Sequence, residues 1–160
     1  MSNVLVTNQL AGMHETQKIR VDMMNLLTDA DLAYKLPGDN VTLGALCREM
    51  GETEQIYIDS FKSFKMNWAI YRTSDPALAG SVDQLKAWYQ TLDQQFDAAI
   101  EALSDDDIRT KKVNRQTFAP DLTVQFHIYR EAQLIFYAKA TCYLRALEKP
   151  LPSQMASWIG

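Results

Sequence analysis

The segment Asp121–Leu147 constrains the fold more than any other part of the chain. Within it, Leu134–Leu144 is apolar on nearly every side of a helix. A helix with this pattern is either central in a helical protein or shared with a second chain. Asp121 places an acid at the expected start, where it opposes the helix dipole, and Pro150 follows the expected end. The segment therefore predicts a long helix that is buried on most sides.

Further segments show helical periodicity and none alternates as a strand does. The first predicted helix covers Thr7–Leu27 and the second covers Thr42–Met66. A third starts after Ser81, which forms a capping-box pattern with Gln84. We expect an all-α protein, an up-and-down four-helix bundle in which residues 1–160 form a single domain, since 160 residues suit one domain. We also expect the tail after the fourth helix to fold back onto the bundle.

Each of the first two helices has a polar residue on its apolar stripe, Gln17 in the first and Glu54 in the second. A buried carboxylate needs a partner or a raised pKa, so Glu54 is a candidate functional residue. The apolar positions are Val6, Leu10, Met13, Val21, Met24 and Leu27 in the first helix and Leu43, Cys47, Met50, Tyr57, Phe61 and Phe64 in the second.

Composition excludes several classes of partner. The net charge is −4 at pH 7, which disfavours nucleic acid because phosphate binding needs concentrated positive charge. No apolar run has the length of a membrane span, and no signal-peptide pattern is evident. Cys47 and Cys142 lie among apolar neighbours and are predicted to be buried. These features favour a cytoplasmic protein with no nucleic acid and no membrane among its partners.

Two motifs carry a resemblance to a known family. Thr42–Cys47 opens the second helix, and Tyr143–Leu147, followed by Pro150, closes the fourth. The chain resembles the DinB-like superfamily of four-helix bundles, which includes YfiT-like putative hydrolases and thiol S-transferases. The resemblance covers most of the chain and implies the same bundle fold.

Metal-binding members of that superfamily carry one histidine on the second helix and a His-x-x-x-His pair on the last. The resemblance places Glu49, Ala132 and Phe136 at these positions, and Lys139 where a glutamine is frequent. Alanine and phenylalanine cannot ligate a metal, so we expect no metal cofactor and no metal-dependent catalysis. We expect instead that Glu54 (or Glu49) and Lys139 fill the vacated site as a charge pair, or that both side chains reach water at the bundle ends.

A different set of residues leaves an enzymatic alternative open. His127 and Glu131 lie on one helix face, and His14 lies near Gln17 on the first helix. Together with Glu54 they could form a relocated site for nickel or zinc. The chain would then be a metal-dependent thiol S-transferase or hydrolase.

The preferred interpretation is a homodimeric bundle that binds a small molecule or serves as a structural protein, without a cofactor. A role on damaged DNA rests only on the family's name, and the acidic charge opposes it. The candidate site residues are Glu49, Glu54, Lys139, His14, His127, Glu131 and Phe136.

Overall fold

The computed structural model describes residues 2–68 and 74–160, and the regular structure in these ranges is helical. The described ranges hold isolated β-bridges but no β-strand, which confirms the all-α prediction. A 3-10 turn, Pro76–Gly80, precedes α5. Helices α1 to α8 cover Val4–Asn8, Leu10–Met24, Asp29–Leu32, Leu43–Ser63, Val82–Glu101, Asp105–Thr110, Leu122–Ala146 and Ser153–Trp158.

Local side-chain caps set the starts of the long helices close to where the sequence predicts them. Thr42, Ser81 and Asp121 each accept a hydrogen bond from the backbone N–H three residues ahead, at the starts of α4, α5 and α7. Such caps satisfy backbone donors that have no partner inside the helix. These three boundaries therefore follow from short-range chemistry.

The first helix differs from its prediction. Instead of one helix over Thr7–Leu27, α1 starts at Val4, and a break at Gln9 separates it from α2. The Asn3 side chain caps α1 and also donates hydrogen bonds to the backbone oxygens of Ile100 and Leu103, at 2.7 and 2.8 Å. This tertiary anchor near the end of α5 extends the helical segment toward the N-terminus.

The four longest helices contact one another in a ring: α4 contacts α5 and α7, and α2 contacts the same two helices. The predicted stripe of α4 is buried from Leu43 to Phe61, including Glu54, and Phe64 at its end is half-buried. The stripe predicted for α2 is wrong at Val21, which is 46 % exposed. Arg20, one position earlier, faces the interior in its place.

One end of the interior is aromatic. The ring centroids of Phe61 and Phe96 are 5.9 Å apart, and those of Phe96 and Phe126 are 5.7 Å apart. Tyr129 packs on Phe96 with its ring centroid at 5.0 Å. We call Phe61, Phe96, Phe126 and Tyr129 the aromatic core; edge and tilted ring pairs at these separations stabilise a packed interior.

The tail folds back as predicted, because Met155 of α8 is fully buried and Arg130 of α7 lies over the Trp158 ring at 5.7 Å. Cys47 is buried as expected, and burial raises the pKa of its thiol to about 12. The prediction for Cys142 is wrong, because it lies on the outer face of α7 and is exposed. Among the described helices, none has both the length and the apolar character needed to cross a lipid bilayer.

Candidate functional site

An arginine with no solvent exposure lies between the four long helices. Arg20 of α2 donates from Nη1 to Oε2 of Glu54 on α4. Its Nη2 donates to Oδ1 of Asp93 on α5 at 2.5 Å. The guanidinium carbon also lies 4.1 Å from the ring centroid of Tyr89, close enough for a cation–π contact. Three helices therefore supply charged groups to one buried point.

The fourth long helix, α7, contributes polar side chains at four-residue steps to the environment of Arg20 and Glu54. Tyr129, Gln133 and Tyr137 all have less than 3 % exposure. The Gln133 amide nitrogen donates to the Tyr129 hydroxyl. Helical residues four apart share a face, so the same side of α7 presents these groups to Arg20 and Glu54. We call Gln17, Arg20, Glu54, Asp93, Gln133 and Tyr137 the polar centre.

The charges of the polar centre do not balance when both carboxyls are ionised. Glu54 is buried, and burial raises its pKa to about 7, against the opposing effect of Arg20 and with a further increase from Asp93. The side chain of Asp93 is 25 % exposed to solvent and so remains in contact with water. An arginine does not lose its proton in a protein, so Glu54 is the group that changes charge near neutral pH.

Several buried polar atoms of this centre have no hydrogen-bond partner among the described residues. Two are donors, Nε2 of Gln17 and Nε of Arg20. Two are acceptors, Oε1 of Glu54 and Oε1 of Gln133, and the Tyr137 hydroxyl can act either way. The Tyr129 hydroxyl interacts with the Glu54 carboxyl and lowers its pKa, but less than burial raises it. A buried polar group without a partner costs about 1–3 kcal/mol, so this concentration of unpaired donors and acceptors makes the polar centre the strongest candidate site for bound water or another polar group.

A surface groove between α2 and α5 adjoins the polar centre. It has a volume of about 450 Å³ and is lined mainly by apolar surface. Tyr89 and Asp93 form part of its wall and also contact Arg20, so they connect the groove with the polar centre. The remaining lining residues are Val21, Met24, Lys86, Ala87 and Gln90.

The predicted pairing of Glu54 with Lys139 is wrong, because Glu54 pairs with Arg20. Lys139 is exposed on α7, with its ammonium 5.3 Å from the ring centroid of Phe136. Glu49 and Lys139 do line one groove of about 350 Å³, together with Cys142. That groove opens on the surface beside α4 and α7, outside the polar centre.

The residues of the relocated metal site do not come together. The Nε2 atom of His14 lies 2.9 Å from Oδ1 of Asp97, while Glu54 is held by Arg20. His127 and Glu131 are exposed on α7. Among residues 2–68 and 74–160, no group of three or more histidine, cysteine, aspartate or glutamate side chains has an arrangement that could hold a metal ion.

The positions on α7 that face the centre differ by one residue from those inferred from the resemblance. Ala132 is half-buried and Phe136 is 9 % exposed, whereas Gln133 and Tyr137 face the polar centre. A shift of one residue turns a helical side chain by about 100°, which moves it from the side of the helix to its inner face.

Arg20 is the functional candidate that sequence reasoning missed. A signal was present, because Met13, Gln17, Arg20 and Met24 follow three- and four-residue steps. The apolar periodicity alone places Val21 on the stripe, and a fully buried arginine is rare. Comparison with known proteins adds no further identification: no protein-family model matches the chain, and no curated protein sequence matches it.

Proposed function

We propose that this chain is a DinB-like four-helix bundle without a metal centre, and that it binds a small polar molecule at the polar centre. The observation that carries the proposal is the set of unpaired donors and acceptors around the Arg20–Glu54 pair. The ring of contacts among α2, α4, α5 and α7 supports the bundle assignment, since these are the four longest helices.

The chemistry of the polar centre defines a class of ligand. A bound group must offer hydrogen-bond donors to Oε1 of Glu54 and Oε1 of Gln133, and an acceptor to the free donors. Two carboxyls already share one guanidinium, so an additional anion is disfavoured. A neutral amide satisfies these conditions, because it offers both donors and an acceptor; a cationic amidine lacks the acceptor, and a carboxylate lacks the donors.

The groove between α2 and α5 supplies the apolar part of the site. A ligand with a polar head and an apolar body would rest on Val21 and Met24 and direct its head past Asp93 toward Arg20. Rotation of the Asp93 side chain, which is 25 % exposed and borders the groove, would open this path, while the hydrogen bond from the Tyr89 hydroxyl to the Cys47 backbone oxygen holds the Tyr89 ring in place. Pockets of several hundred Å³ with few polar groups are typical of small-molecule sites.

Three probes of the same shape test the proposal. Benzamide, benzamidine and benzoate differ only in the charge and hydrogen-bonding of the head group. Titration calorimetry or ¹⁵N spectra of the purified chain should show saturable binding of benzamide, weaker binding of benzamidine, whose head group has no acceptor, and no binding of benzoate. Tyr137→Phe and Glu54→Gln should weaken binding about tenfold, which corresponds to one lost hydrogen bond to the ligand.

Glu101→Gln is the control variant, since Glu101 is exposed at the end of α5, away from the polar centre. Equal affinity in all variants, or absence of saturable binding by every probe, would contradict the proposal. Metal analysis of protein purified without chelator provides a second test. Stoichiometric nickel, zinc or manganese that is lost in His127→Ala would favour the metal-dependent transferase or hydrolase instead.

The proposal places the bundle in the cytoplasm as a homodimer. Cys142 is an exposed free thiol, which suits a reducing compartment. Ile135 on the outer face of α7 is 57 % exposed, which suits a helix face covered by a second chain.

A further inference from the structure

The outer face of α7 carries an exposed stripe with a seven-residue repeat. Its residues recur at alternating steps of four and three along the helix, which is the seam pattern of paired helices. All are exposed except Ile128, which is half-buried, and most are apolar. We call this set the α7 stripe: Val124, Ile128, Glu131, Ile135, Ala138, Cys142 and Arg145.

The tail widens the apolar surface beside this stripe. Between α7 and α8 lies an open concavity of about 790 Å³, lined by Glu131, Leu134, Ile135 and Ala138 from α7 and by Trp158 and Ile159 from the tail. Ile135 is 57 % exposed and Trp158 is 46 % exposed. Two large side chains are thus left in water on one continuous face, as at the interfaces of associating proteins.

The charges on the α7 stripe determine whether a second helix would pack parallel or antiparallel to it. Glu131 and Arg145 lie seven residues on either side of Ala138, about 10 Å along the helix in each direction. If a second α7 packs antiparallel about a two-fold axis at Ala138, each Glu131 comes opposite Arg145 of the other copy. In a parallel pair, like charges would be adjacent instead. The stripe is therefore complementary to itself in the antiparallel sense.

Both charged groups are available for such a contact. In the described part of the chain, Glu131 makes no ion pair, and Arg145 donates one hydrogen bond, to the backbone oxygen of Gly160. The small side chain of Ala138 at the centre lets two helix backbones approach closely.

We propose that this chain forms a dimer in which α7 packs antiparallel on α7 of a second copy, with the axis at Ala138. Trp158 of each copy then covers the edge of the contact. The proposal rests on the homodimer of the proposed function and names its interface. It is independent of the polar centre, which lies on the inner face of the same helix.

Sedimentation equilibrium of the full chain tests the interface. Wild type should be a dimer, and Ala138→Glu should raise the dimer dissociation constant about 100-fold or more. Ala98→Glu is the matched control, because Ala98 is exposed on α5 and outside the stripe. It should leave the dimer unchanged. Circular dichroism would verify that each variant keeps its helical content.

A charge-exchange series tests the orientation. Glu131→Lys and Arg145→Glu should each weaken the dimer about tenfold, and the double exchange should restore it, since opposite charges would again be adjacent. A monomeric wild type, or a double exchange no better than either single change, would overturn the proposal. Benzamide binding by the Ala138→Glu variant separates the two proposals, because it should persist in the monomer.

Discussion

Two regions of the same interior, the aromatic core and the polar centre, are held together in different ways. Tyr129 of the aromatic core joins the two regions: its ring packs on Phe96 at 5.0 Å, while its hydroxyl accepts a hydrogen bond from Gln133 of the polar centre. On the aromatic side, packing alone provides the stability. On the polar side, Arg20 and Glu54 must each keep a partner, because an uncompensated buried charge costs far more than a lost packing contact.

The comparison teaches where function can be inferred in this protein. The aromatic core resembles any well-packed helical interior and would serve equally well without a ligand. The polar centre leaves donors and acceptors unpaired, which a purely structural interior avoids. Substitutions that act on one region and not on the other therefore separate stability from binding.

Phe96→Ala should have the largest effect on stability. Removal of a fully buried ring leaves a cavity, and we expect a loss of about 3–5 kcal/mol in the free energy of unfolding. Urea denaturation at pH 5 and pH 8 should give the same loss, because no titrating group is removed. A loss that changed with pH would show that the aromatic core is coupled to the polar centre.

Arg20→Met should destabilise the protein by about 3 kcal/mol or more at pH 8, since it leaves the Glu54 carboxylate buried without a cation. The loss should be smaller at pH 5, where Glu54 takes up a proton. Lys139→Met is the matched control and should stay within about 0.5 kcal/mol, because Lys139 is exposed. Equal effects of the two substitutions in urea denaturation would contradict the central role of Arg20.

Combining Arg20→Met with Glu54→Leu should recover much of the lost stability, since replacing a buried ion pair by apolar groups is often neutral or favourable. The double variant should not bind benzamide. Recovery of both stability and binding would show that the pair is not part of a ligand site.

Glu54→Gln should alter the pH dependence of stability. The pKa of Glu54 is about 7 in the folded protein, above its ordinary value of 4.5. The folded state thus binds the proton more tightly, so the contribution of Glu54 is complete below pH 4.5 and is lost as pH rises through 7. Relative to Glu54→Gln, wild type should lose up to about 3 kcal/mol between pH 4.5 and pH 8.

Glu101→Gln, at an exposed position, should not change that pH profile. A wild-type profile parallel to that of Glu54→Gln across the whole range would mean that Glu54 stays ionised in the folded protein.

Tyr137→Phe should have the smallest effect on stability, a gain of about 1 kcal/mol in the ligand-free protein, because it removes a buried hydroxyl that has no partner among the described residues. It should nevertheless weaken benzamide binding. Thermal denaturation with and without benzamide measures both quantities. A more stable variant with unchanged binding would identify the hydroxyl as a buried group without a role.

The sequence predicted the local part of the fold well. The starts of α4, α5 and α7 follow from Thr42, Ser81 and Asp121, which cap the helix within three residues of chain. The buried stripe of α4, including Glu54, follows from periodicity alone. The start of α1 does not follow from local sequence, because Asn3 is held by hydrogen bonds to the distant backbone oxygens of Ile100 and Leu103.

For the candidate site too, some features follow from the sequence and others only from the tertiary structure. The sequence alone determined that Glu54 lies on a buried helix face, because burial follows the helical period. Only the tertiary structure decided that its partner is Arg20 and not Lys139. The physical reason is that a turn of one residue moves a side chain by about 100°. The packing of α2 and α4 against α5 and α7, rather than the pattern within any one helix, sets that angle.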